Sequence, residues 1–98
     1  MAGNEVRAYH VHASGSVTSG RGRMKGFMIN HSTGATGQTL IYDNPSAASG
    51  VELLEIDETG QGVFGMEIPG DGILFDNGVY ASLATNTTLT LFLQQWYG

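Results

Sequence analysis

Turn residues interrupt this chain before any apolar pattern outgrows a single strand. Alternating stretches occupy residues 4–13, 22–31, 39–42, 51–56, 63–68, 73–75, 79–83 and 88–97. Side chains two apart share a face in such a stretch, as a half-buried strand requires. Between them lie Ser14–Gly20, which reads as a polar loop or a short edge strand, and Ser32–Gly37, Asp43–Gly50, Asp57–Gly62, Pro69–Gly72, Asp76–Gly78 and Thr85–Thr87, all rich in turn formers. About eight short strands, with a turn signal every 8–12 residues or so, read as an antiparallel β-sandwich of jelly-roll or immunoglobulin-like topology. No segment holds a helical period. The 98 residues leave no room for a second domain. The expected layout is an N-terminal arm or first strand over 1–14 and a sandwich over 15–98.

The local expectations are specific. Val6, Ala8, His10 and His12 share one face of the first strand. Phe27 and Ile29 point with Arg23 and Lys25, opposite Met24 and Met28. Ser46–Gly50 reads as one helical turn closed by Gly50. Asp76-Asn77-Gly78 is the strongest hairpin signal, because Asn-Gly tolerates the positive φ of a type I′ turn. Leu89, Leu91 and Leu93 form one face of the last strand. Met24, Met28 and Met66 are expected to fill gaps in the core.

Charge excludes several function classes. Charged residues make up only 13% of the chain, too few for a disordered or coiled-coil segment. Of the four cations, Arg7, Arg21, Arg23 and Lys25, none lies beyond position 25, whereas eight of the nine acids follow it. Four cations on a chain of net charge −5 neutralise few phosphates, so no nucleic-acid partner is expected. No apolar run approaches the roughly 18–20 residues of a membrane-spanning helix. The start Met1–Glu5 lacks the basic and apolar regions of a signal peptide. Cysteine is absent, which removes disulfides from the argument. What remains is a segregated charge, able to steer one face onto an opposite field.

Residues for catalysis are sparse, and no enzyme activity is expected. No serine lies in Gly-x-Ser-x-Gly at a strand–helix elbow. Glu52 and Glu55 fall on opposite strand faces, and Asp57 and Glu58 fall in a turn. Gly20-Arg21-Gly22 and Gly60-Gln61-Gly62 open no helix and are too short to cradle phosphate. Asp71-Gly72 with Asp76-Asn77-Gly78 lacks the spaced oxygen ligands of a Ca²⁺ loop. His10, His12 and His31 could supply three Zn²⁺ ligands or meet at an oligomer axis, but without the tight spacing of a metal motif. No metal or cofactor is expected. Trp96-Tyr97 is either an exposed anchor for a partner or part of the last core strand.

The segments Arg23-Met24-Lys25-Gly26-Phe27, Leu40-Ile41-Tyr42-Asp43-Asn44 and Ser46-Ala47-Ala48-Ser49-Gly50 come first in a recognisable order. Ile68-Pro69-Gly70-Asp71-Gly72-Ile73-Leu74-Phe75, Asn77-Gly78-Val79-Tyr80 and a terminal Trp96-Tyr97-Gly98 continue it. Over residues 15–98 this order resembles small virion structural proteins of tailed bacteriophages, especially those of marine and cyanobacterial hosts. The resemblance implies a β-sandwich module made in the host cytoplasm and carried on the virion. The first expected role is a capsid decoration, or cement, protein that binds the major capsid protein and itself, as a homotrimer. A neck or tail adaptor or fibre-associated protein is the alternative, and a small sugar-binding module the second alternative. Arg7, Arg21, Arg23, Lys25, Trp96 and Tyr97 are the expected partner-binding residues.

Overall fold

A computed structural model describes residues 6–57 and 61–95. They form nine strands: β1 (Val6–Val11), β2 (Gly15–Ser19), β3 (Gly22–Thr36), β4 (Gln38–Tyr42), β5 (Glu52–Asp57), β6 (Gly62–Glu67), β7 (Ile73–Phe75), β8 (Gly78–Ser82) and β9 (Thr85–Gln95). All pairing is antiparallel. A front sheet runs β1-β9-β3-β6, with β7 also on β3, and a back sheet runs β2-β8-β4-β5. The two pack as a sandwich.

Strand order settles the topology left open by the sequence. The first two strands lie in different sheets, which an immunoglobulin order does not allow. With the three-residue β7 set aside, the front sheet holds the first, last, third and sixth strands of eight, and the back sheet the second, seventh, fourth and fifth. That is the jelly-roll arrangement of two Greek keys. β1 is an integral strand, paired along its whole length from Val6↔Gln94 to Val11↔Leu89.

The core lies between the sheets. Met24, Ile29, Ile41, Phe75, Val79, Ala81, Leu91 and Leu93 are fully or almost fully buried. Leu89, Leu91 and Leu93 face inward together, as their alternation predicts. β3 departs from its predicted faces. Its register against β9 shifts between Met24 and Gly26, so Lys25 is an extra residue, a β-bulge. The bulge puts Met24 on the core side with Phe27 and Ile29. Met28 stays outside, 47% exposed, and Met66 is 54% exposed, so only Met24 fills the core.

At four places the structure departs from the turn chemistry of the sequence. Ser32–Thr36 is the end of β3, beyond a second register shift between His31 and Thr36. Thr85–Thr87 begins β9, where Asn86 takes φ 55° and donates from Nδ2 to the Thr33 carbonyl. Ser46–Gly50 contains no helical turn. Asn44 Oδ1 accepts from the Ser46 and Ala47 N–H groups as an N-cap would, but no turn of helix follows.

The fourth case is the corner Asp76-Asn77-Gly78. It joins no hairpin, because β7 belongs to the front sheet and β8 to the back sheet. The Asp43 carboxylate, from the end of β4, accepts the N–H groups of Asp76, Asn77 and Gly78 at 3.0, 2.8 and 3.3 Å. Gly78 is needed there. A Cβ would sit 2.7 Å from the Thr18 carbonyl oxygen and 2.9 Å from the Pro45 Cα.

Buried polar groups are mostly satisfied. Gln95 bridges the two sheets, accepting from Thr18 Oγ1 at 2.7 Å and donating to the Ser19 carbonyl at 2.8 Å. Thr39 Oγ1 accepts the Ala84 N–H at 3.1 Å. His31 is the exception. It is 1% exposed, its ring is tilted against Phe64 at 5.8 Å, and neither ring nitrogen has a hydrogen-bond partner among the described residues. An unsatisfied buried polar group costs about 1–3 kcal/mol. Replacing it by an apolar side chain of similar size, His31→Leu, should therefore stabilise the fold by about 1–2 kcal/mol. The urea midpoint of unfolding is expected to rise, and a fall would contradict this reading of His31.

Candidate interaction surface

Each strand of the front sheet sends alternate side chains outward, and directly paired residues share a face. Four outer rows follow from the register: Val6, Gln94 and Arg23; Ala8, Phe92, Gly26 and Glu67; His10, Thr90, Met28 and Gly65; and Thr88, Asn30 and Val63. Gly26 and Gly65 carry no side chain, so the sheet is hollowed between Phe92 and Met28. An open groove of about 930 Å³ runs along β3 and β6 there. Neither glycine has room for a side chain. A Cβ on Gly26 would stand 2.9 Å from the Met66 carbonyl oxygen, and one on Gly65 2.8 Å from that of Phe27.

The groove is mixed, with Lys25 and Glu67 lining it beside apolar side chains. Val6, Met28, Val63, Phe64 and Met66 all line it and are 45% to 62% exposed. Phe64 and Met66 belong to the core-facing side, since they pair with Ile29 and Phe27. They stay open because β6 forms the rim of the front sheet and five of its six residues are exposed. Scattered exposed apolar residues are ordinary, but five lining one groove make it a candidate interaction site.

Charge is divided between the sheets. Arg23 and Lys25 lie on β3 and Arg7 on β1, so three of the four cations belong to the front sheet, together with the acid Glu67 of β6, while Arg21 lies in the connection from β2 to β3. Lys25, at the bulge, donates to the Gly70 carbonyl at 3.4 Å. Arg21 Nε lies 3.5 Å from Asp76 Oδ1, with both side chains 63% exposed. Arg7 shares a row with Leu93 and Met24 and so leaves from the opposite face of the sheet to Arg23. Glu52, Glu55 and Asp57 lie exposed along β5, the rim of the back sheet. There Gln38 Nε2 donates to Glu55 at 3.1 Å and to Asp57 at 2.8 Å.

Arg23 and Lys25 therefore lie on one strand with Arg21 just before it, and Arg7 leaves from the other side of the sheet. Trp96 and Tyr97 lie outside the described residues. The histidines do not converge: His10 is exposed on the outer face, bonded to Thr90 Oγ1 at 2.9 Å, whereas His31 is buried on the inner face. Among the described residues no three His, Asp or Glu side chains are grouped to hold a metal ion.

Sequence reasoning missed Met28, Val63, Phe64 and Met66 as surface residues. A signal was present. Residues 63–66 are Val-Phe-Gly-Met, apolar on both faces, a pattern shared by central strands and unprotected edges. Only the strand order separates the two cases. No protein-family model matches the chain, and no curated protein or solved structure matches it either.

Proposed function

We propose that this chain is a bacteriophage virion structural protein, a capsid decoration protein that lays its front sheet on the head lattice. The observation that carries this reading is the polarity of the sandwich. The front sheet combines a groove rich in exposed apolar side chains with Arg23 and Lys25, Arg21 leads into it, and its one acid on a described strand is Glu67, whereas the other sheet carries a rim of three acids. Such a surface fits an acidic, partly apolar partner on the front side. It leaves the acidic β5 rim facing solvent.

The chemistry of adhesion suits the fold. A small domain gains stability by mass action when it binds a lattice. Jelly rolls serve viral coats and carbohydrate-binding modules alike, so the fold alone does not choose between them. The groove makes the difference. Its exposed side chains are mainly aliphatic and methionine, whereas sugar recognition needs aromatic platforms flanked by convergent polar groups.

Quantitative mass spectrometry on purified particles tests the assignment. A copy number equal to that of the major capsid protein, or a simple fraction of it, is the expected result. A few copies per particle would move the protein to the neck or tail. Absence from particles would overturn the structural role.

A further inference from the structure

We infer that the free edge of β6 pairs with β6 of a second copy across a two-fold axis centred on Gly65, joining two front sheets into one. This pairing needs only the free protein, so it stands or falls separately from binding to a particle.

The first ground is the contrast among the four sheet edges. Natural sheets protect their edges with charge, proline, bulges or short length. β1 carries Arg7. β2 is short and its register shifts at Val17. β5 carries Glu52, Glu55 and Asp57. β6 reads Gly-Val-Phe-Gly-Met-Glu, with one charge at its very end and no proline before Pro69.

The second ground is which backbone groups are free. The Ile68 N–H donates to the Lys25 carbonyl at 2.9 Å, just past the end of β6. Backbone groups alternate in direction along an antiparallel strand. The even-numbered residues of β6 therefore bond to β3. Among the described residues no strand lies beyond β6, so Val63, Gly65 and Glu67 present their N–H and C=O groups to that edge.

The third ground is self-complementarity. A two-fold axis through Gly65 sets Gly65 against Gly65 and Val63 against Glu67 of the second copy. It is the one register in which these three residues satisfy only each other. Phe64 then lies opposite Met66 of the second copy, and Met66 opposite Phe64. Both pairs occupy non-hydrogen-bonded positions, where side chains approach most closely. A thioether against an aromatic ring is a favourable contact. The two Glu67 carboxylates are kept apart by four residues of strand, about 13 Å. A register sliding two residues toward Glu67 sets Pro69, which has no N–H, against Val63. One sliding further opposes the two glutamates directly.

Two six-residue strands make a small interface, so association is expected only from micromolar concentration upward. The measurement is sedimentation equilibrium on the full chain from micromolar to millimolar concentration. The expected mass rises toward twice 10.4 kDa. Met66→Lys, on an exposed side chain, should remain a monomer throughout with an unchanged circular-dichroism spectrum. The chain has no cysteine, so register can be read directly. The double variant Val63→Cys, Glu67→Cys should form a covalent dimer on oxidation, because a hydrogen-bonded pair sets the Cα atoms about 5.5 Å apart, within disulfide reach. Val63→Cys alone should not cross-link. A monomer at every concentration, a trimer, or cross-linking by Val63→Cys alone would each overturn the pairing, and none of these results bears on whether the protein binds particles.

Discussion

Phe75→Ala should lower the thermal midpoint by roughly 15–30 °C. Phe75 is fully buried and sits on β7, a strand of only three residues. Its pairing partners are Gly22, Arg23 and Met24, at the start of β3. The ring occupies space left by a missing side chain, since a Cβ on Gly22 would stand 2.8 Å from Phe75 Cζ. Truncating a buried phenylalanine costs about 3–5 kcal/mol, the lost transfer energy plus the cavity. A domain of this length holds only about 5–15 kcal/mol in total. In a domain this small each kilocalorie shifts the midpoint by about 4–8 °C. Phe64→Ala is the matching control. Phe64 is 45% exposed, so truncation removes far less burial and should cost under about 1.5 kcal/mol. Melting curves followed by circular dichroism check both variants. Equal shifts for the two would mean that Phe75 is not in the core.

The elements decided by local pattern were legible in the sequence. Leu89, Leu91 and Leu93 announced an inward face because strand alternation is a short-range property. The interruption at Pro69–Gly72 was equally visible, since a proline and two glycines leave few other options. What stayed hidden depends on groups far apart in sequence. Asp76-Asn77-Gly78 carries the signature of a hairpin, but Asp43, more than thirty residues earlier, holds those three N–H groups and turns the chain into the other sheet. The Lys25 bulge has no composition signal, yet it reverses the faces of Arg23 and Met24 relative to simple alternation. Exposure of the groove was hidden for a similar reason. Phe64 and Met66 alternate like core residues, and only the position of β6 at a rim leaves them open. The basic cluster Arg21, Arg23 and Lys25 was legible because it lies on contiguous chain. The opposing acids of β5 acquired their meaning only once β5 was placed in the other sheet.

Binding to particles should fall about 30- to 140-fold when Arg21, Arg23 and Lys25 are all changed to Glu. Each exposed charge contributes only about 0.2–1 kcal/mol to an interface. Reversal adds repulsion to that loss, so three reversals together should cost about 2–3 kcal/mol, at 1.4 kcal/mol per tenfold. The loss should shrink as salt shortens the screening length, from about 30 Å at 0.01 M to about 8 Å at 0.15 M. Glu52→Lys with Glu55→Lys, on the back sheet, reverses charge without touching the front face and should leave binding nearly unchanged. The most direct test of the front sheet as the docking face is the affinity of these two variants and the unaltered protein for particles stripped of the native chain, at low salt. The account predicts weakened binding for the front-sheet variant alone. Full affinity of the front-sheet variant together with lost binding of the β5 variant would contradict it, and would place the contact on the opposite side of the sandwich.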